Sequence, residues 1–396
     1  MTEKKIRIKH IKVRELPQFA ESVIKTGKRD QFVPISVQRA IAHAHNPWAD
    51  SDDIGLLVAV DKEDEIVGYF GILPIALRDG NDIHKVYWFS TWLVSPKVRG
   101  KGVGSKLMQE ALSLNQDYLI VGSVYARRVC HKFGFLERPP LIYYWVDMTG
   151  MERMNILVML RRLYRKGLKL LGRNHKKVIL TSQVTRKIDR LLSPFTKSIF
   201  YSTLNFITRK YIMGIQIEEV SELTNSFQGY EHRPMVELHR SLETINWMLK
   251  YPWVVNPGQS LTENMDYYFS DVRALYKTFG LEIRDSSGQF TGFIVFSVSK
   301  IGGNVVLKVL DYDYRDKRME NILFALAIRY GKKFSADRIE MPKELIGELA
   351  YRLLGRILLH EKRRIYQSSP KSEDSPLARS WEKLTFHLAD GDMPFS

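Results

Sequence analysis

Apolar and polar residues alternate through IRIKHIKV, residues 6–13, with the two-residue period of a strand that buries one face. FAESVI and ISVQRAIAHAH supply short helical stretches after it. Three apolar runs follow, GLLVAVD, EIVGYFGILPIAL and HKVYWFSTWLV, separated by the turn-forming KED and RDGND, a pattern that predicts an antiparallel meander. At Val103 the period becomes helical, placing Val103, Leu107, Met108, Ala111 and Leu112 on one face. A strand YLIVGSV, a helix ARRVCHKF, the pair Gly134 and Phe135 and a strand LIYYWVDM complete this stretch.

The second half repeats the order. GLEIRDSSGQFTGFIVFSVSKIGGNVVLKVLDYDY reads as three strands broken by DSSG and KIGGN. A helix carrying Met319, Ile322, Leu323, Leu326 and Tyr330 comes next, then strand ADRIEMP, helix KELIGELAYRLL and strand RRIYQSS. The pattern predicts an α/β chain with mixed sheets, two units at 1–149 and 214–396, and an internal duplication. Between them, 150–213 reads as a basic helical insert. Leu157, Leu160, Leu163, Tyr164 and Leu171 share one helical face, and positive charge runs from Arg161 to Arg190 with Asp189 as the only acid.

At 396 residues each unit can bury its own core, and 44% hydrophobic with 26% charged residues is the composition of a soluble globular protein. No apolar run approaches a membrane span, and no apolar segment follows the initial charges, so the expected location is the cytoplasm. The one cysteine, Cys130, rules out an internal disulfide and a multi-cysteine zinc site, and no metal is expected. A net charge of +16 points to an anionic partner without choosing among small phosphorylated molecules, nucleic acid and acidic membrane.

Chemistry concentrates in WLVSPKVRGKGVGSKLM, residues 92–108. Glycines so close together mark a place where the main chain has a task. The first amides of a helix have no partner within it and carry partial positive charge, so a bare loop there lets a phosphate approach, with Arg99 and Lys101 adding charge. Glycines at 100, 102 and 104 fit neither the dinucleotide fingerprint nor the nucleotide P-loop. VSPKVRGKGVG followed by helix, strand and CHKFGF resembles the acetyl-coenzyme A site of the GNAT N-acetyltransferases, whose Arg/Gln-x-x-Gly-x-Gly/Ala signature is met by Arg99, Gly102 and Gly104. The family's later Gly-Phe pair is met by Gly134 and Phe135.

The resemblance implies two tandem GNAT-like units, the first binding acetyl-CoA. Trp92, Leu93 and Val94 would pair with the pantetheine arm as another strand would. The loop and helix start, Arg99, Gly100, Lys101, Gly102, Val103, Gly104 and Ser105, would hold the pyrophosphate, and the strands around STWLV and YLIVGSV would splay to admit the thioester. Val94 is the candidate backbone donor to the carbonyl oxygen. The family's usual tyrosine acid falls at Cys130 and its frequent asparagine at Ser123. Cys130 is therefore either a thiol acid or a small buried core residue. No carboxylate stands on HKVYWFSTWLV, where His84, Tyr87 and Ser90 are the polar candidates for a base.

The expected reaction is acetyl transfer to a primary amine. Weaker similarity of INWMLKYPWV and SWEKLTFHLADGDMPF to tandem proteins of bacterial envelope and polysaccharide loci suggests a nucleotide- or lipid-linked amino sugar. Trp247, Tyr251, Trp253, Trp381, Asp390 and Asp392 would then be sugar contacts or simply packing residues. DYRDKRMENI in the second unit lacks the glycines, so no coenzyme is expected there. The insert reads as a peripheral membrane contact, placing the enzyme at the inner face of the membrane, or as an RNA-binding arm or a solvated linker; nucleic acid is not the expected partner. Two alternatives stand beside the transferase. One is a non-catalytic acyl-CoA sensor, and the other a Fem-like aminoacyl or acyl transferase, a type that lacks an intact pyrophosphate loop.

Overall fold

The computed structural model of the chain describes residues 6–25, 32–138, 140–149, 202, 204–206, 208–224, 236–262, 265, 267–269, 272–348, 350 and 358–395. The first half runs β1 (Arg7–Lys12), α1 (Leu16–Lys25), α2 (Val37–Ala44), β2 (Ile54–Val60), β3 (Ile66–Asp79), β4 (Asp82–Val94), α3 (Val103–Ser113), β5 (Tyr118–Ile120), α4 (Val124–Lys132), β6 (Leu136–Glu137) and β7 (Leu141–Asp147). The predicted meander is present, with Leu57 opposite Phe70 and Phe70 opposite Trp92. β2 and β3 are buried almost throughout because the sheet is covered on both sides, which is why they read as continuous apolar runs. On one face Val103, Leu107, Met108 and Ala111 of α3 pack with Phe70, Phe89, Cys130 and Phe135. On the other, Leu16 and Ala20 of α1 and Val37 and Ala40 of α2 cover Leu56, Val58 and Tyr69.

The second half runs β8 (Gln216–Val220), β9 (Val236–Leu238), α5 (Leu242–Lys250), β10 (Tyr276–Arg284), β11 (Phe290–Ile301), β12 (Asn304–Tyr314), α6 (Met319–Lys333), β13 (Arg338–Pro342), β14 (Leu359–Arg364), β15 (Gln367–Ser369) and α7 (Pro376–Ser380). Met319, Leu323, Leu326 and Tyr330 are buried on α6, the face expected from periodicity. The helix expected over KELIGELAYRLL begins as a single 3-10 turn at Lys343–Leu345, and most of its remainder lies outside the described residues. So does most of the basic insert, including the charged run Arg161–Arg190.

Two mixed sheets result, ordered β1-β2-β3-β4-β5-β15-β6, with β9 paired to β3, and β8-β10-β11-β12-β13-β7-β14. Their orders match position by position if the last strand of each half is exchanged with the other. β7 completes the second sheet between β13 and β14, and β15 completes the first between β5 and β6. Two expectations are corrected here. LIYYWVDM does not complete the first unit's own sheet, and RRIYQSS is not one strand but breaks at Ile365 and Tyr366 to change sheets. The crossing is fixed by fully buried Tyr366, stacked on Phe386 with ring centroids 3.6 Å apart. The boundary expected at residue 149 thus follows a strand that belongs to the other half's sheet.

Candidate functional site

Ser95 N–H is held by the Val67 carbonyl at 2.9 Å, and Val98 is buried beneath the loop, so the chain leaves β4 on a fixed course. Gly100 and Gly102 then adopt φ values of +80° and +75°, a left-handed backbone that residues with side chains rarely adopt. A Cβ at either would meet nothing within 4 Å, so the loop presents bare main chain to open space. Gly102 caps α3, whose first amides, those of Val103, Gly104 and Ser105, have no carbonyl one turn back within the helix. A Cβ on Gly104 would lie at ordinary contact distance, 3.4 Å from Val94 and 3.5 Å from Trp92, so the first turn of α3 sits directly against β4.

β4 and β5 run parallel and pair only from Tyr87 opposite Tyr118 to Phe89 opposite Ile120, after which they part. Opposite Gly71, β4 carries a bulge at Ser90 and Thr91, and a Cβ on Gly71 would come within 2.6 Å of Thr91 Oγ1. A bulge releases backbone groups from the ladder, here at the point where the strands diverge. The gap opens into a cavity of about 780 Å³ lined by residues of the first half, from Phe89 and Trp92 to Ala126, and by Tyr268 and Phe269 of the second half. Trp92, Phe89 and Ile120 pack on the α3 and α4 side of the sheet, whereas Leu93 and Phe269 pack on the α1 and α2 side. The cavity therefore takes its walls from both faces of the sheet.

Of the expected site residues, Trp92, Leu93, Arg99 and Ser123 line this cavity, and Gly100–Ser105 form the adjoining loop and helix start. Val94 lies opposite Gly68 at the end of the ladder and is not among the lining residues. Of the two bulge residues, Ser90 lines the cavity and Thr91 is buried beside it in the chain. Ser123 caps α4, accepting the Ala126 amide at 3.3 Å. Cys130 is fully buried among Met108, Ala111 and Phe135, and burial pushes its thiol up to about 12. It is the core residue of the two alternatives, not an acid in the cavity. His84 faces Leu77 near the hairpin, and the Tyr87 hydroxyl donates to Asp53 at 3.0 Å. Neither lines the cavity, whereas Ser90 does.

Tyr125, on the first turn of α4 and 79% exposed, is a lining phenol that sequence spacing missed because the family pattern points one turn further on. Tyr268 and Phe269 had no sequence signal, being brought in by tertiary packing such as Phe269 against Tyr69. The expected sugar contacts serve packing. Trp247 donates to the Ala42 carbonyl at 2.7 Å, Trp253 lies under Arg39, and Asp390 and Asp392 pair with Arg240 and Arg39. The equivalent gap in the second sheet, after Lys308 opposite Glu340, has buried charge where the first has Phe89 and Ile120. Among the described residues no group of histidine, cysteine or acidic side chains could hold a metal ion, and no helix is long and apolar enough to cross a membrane.

Residues 24–135, which contain the loop, the bulge and both sides of the gap, match the model of the acetyltransferase (GNAT) family. This segment is a GNAT domain. No curated protein matches the chain. Aligned by structure, 93% of the chain covers 73% of a GCN5-related N-acetyltransferase from Anabaena variabilis at 11% identity and TM-score 0.45. It also covers 82% of Saccharomyces cerevisiae N-myristoyltransferase with bound myristoyl-CoA, at 10% identity and TM-score 0.45. A GCN5-related N-acetyltransferase from Kribbella flavida aligns at 13% identity and TM-score 0.43, with 92% of this chain covering 71% of that one. Likeness at these scores assigns no residue and no substrate to the GNAT segment.

Proposed function

We propose that the chain is an N-acyltransferase that takes an acyl group from acyl-coenzyme A and delivers it to a primary amine. The observation that carries this reading is the bare loop at Gly100 and Gly102, set at the start of α3 beside a cavity that passes between parting strands. The α3 amides and Arg99 would hold the diphosphate, which helix-end charge and open main chain both favour. Trp92 and Leu93 would flank the pantetheine arm in the gap. The Ser90 amide at the bulge would donate to the carbonyl oxygen as it gains charge. Tyr125 would return a proton to the departing sulfur.

Calorimetry with coenzyme A and acetyl-CoA, paired with thiol release in the presence of an amine panel, tests the proposal. Failure of both ligands to bind would remove it. Tyr125→Phe is expected to lower kcat by about 100-fold without altering the urea midpoint, since a general acid contributes about 10²–10⁴-fold. An unchanged kcat would take Tyr125 out of the mechanism. A non-catalytic acyl-CoA sensor is the second reading, favoured by the lack of a carboxylate among the described lining residues and by the burial of Cys130. Binding without turnover on any amine would select it. An amino-sugar acceptor draws nothing from the aromatic and acidic residues first assigned to it, since they are engaged in packing and ion pairs.

A further inference from the structure

The cavity has more room than an acetyl donor needs. An apolar cavity of about 150 Å³ holds a six-carbon ring, on the order of 25 Å³ per heavy atom, so the roughly eighteen heavy atoms of a pantetheine arm take about 450 Å³. Of the 780 Å³ present, about 300 Å³ is left, against about 75 Å³ for an acetyl group. The walls decide what that space suits. Phe89 and Ile120 present hydrocarbon on the α3 and α4 side, where Arg99, Ser123 and Tyr125 also lie, and Leu93 and Phe269 continue it on the α1 and α2 side, with Val121 at the end of β5 between them. Ser90 keeps its hydroxyl oxygen buried instead of offering it to solvent. Among the described lining residues no side chain is acidic, and the hydrocarbon of a bound chain would gain by leaving water there.

We propose that the passage through the sheet holds a medium-chain acyl group, longer than acetyl, running from the gap toward Phe269 and Tyr268. This rests on the acyl-CoA reading of the site. Each fully buried methylene is worth about fourfold in affinity, so even partial burial of the six methylenes separating octanoyl from acetyl gives a gain of at least about tenfold. Calorimetry on the full chain with coenzyme A, acetyl-CoA and octanoyl-CoA is the test, and octanoyl-CoA is expected to bind at least about tenfold more tightly than acetyl-CoA. Equal affinity for the two thioesters would overturn the chain-length inference and leave the coenzyme site standing. No binding by any of the three, coenzyme A included, would instead overturn the site reading. Val121→Phe narrows the passage and is expected to erase the octanoyl advantage. If the folded variant keeps that advantage, the chain lies elsewhere and the proposal fails. Should Val121→Phe not fold, Leu93→Trp, on the opposite wall and partly exposed, reads the same difference.

Discussion

Gly102 shows a backbone requirement and a ligand requirement falling on one residue. Its left-handed φ makes any side chain strained by roughly 1–2 kcal/mol, yet the open space around it means that nothing clashes. Gly102→Glu is therefore expected to fold while placing bulk and negative charge where a diphosphate would sit, with a loss of coenzyme A affinity of at least about 100-fold, as for removal of a charge-assisted anion contact. Unchanged affinity by calorimetry would refute the cradle. Cys130→Ala should behave in the opposite manner. Its thiol, held near 12 by burial, stays protonated over the working pH range, so the pH–rate profile should not move. The urea midpoint should fall by the equivalent of about 1–2 kcal/mol for a small core truncation. The loop was legible from sequence because its signal is local: three glycines and an arginine between a strand and a helix. The bulge at Ser90 and Thr91 was not, because it depends on how β4 registers against Gly71.

At the scale of elements, periodicity found nearly every strand of the meanders and the buried faces of α3 and α6. It could not say which sheet a strand would join. β7 and β15 each read as the natural end of their own half, since alternation reports that a face is buried and says nothing of the partner. The exchange has a direct consequence for dissection. A chain ending at residue 149 would leave β7 without β13 and β14, and β5 and β6 without the strand that joins them. Such a fragment is expected to show no cooperative thermal transition, while the whole chain melts as one unit. Cooperative melting of the fragment, or two independent transitions in the whole, would contradict the interlocked arrangement.

Across the whole molecule, the sheets meet over buried charge. Arg240 pairs with Asp311 at 2.9 Å and Asp390 at 3.2 Å, and Lys308 donates to the Met393 carbonyl at 3.1 Å. Burial lowers Lys308 from its ordinary 10.5 to about 8, opposed by Glu340 and reinforced by Arg364, Arg273 and Arg338. Between those values the unfolded chain holds the extra proton, so stability should rise with pH, by on the order of 2 kcal/mol from pH 7.5 to 9.5. Above about pH 10 the trend should reverse, because burial raises Tyr118, Tyr276 and Tyr366 and they keep protons that the unfolded chain releases. Urea midpoints across this range check the profile, and Lys308→Met should flatten its rising limb. None of this was readable from a net charge of +16, which counts charges without placing them.

Because β5 gains its outer neighbour only from residues 367–369, the ribosome must have made the chain through residue 369 before the first half can close. A nascent chain that already carries the glycine loop and α3 still lacks the strand that braces one side of the gap. Termination between the end of α3 and residue 367 would yield a product with an intact signature and no finished pocket. Synthesis past residue 369, more than possession of the motif, is what completes the sheet around the gap.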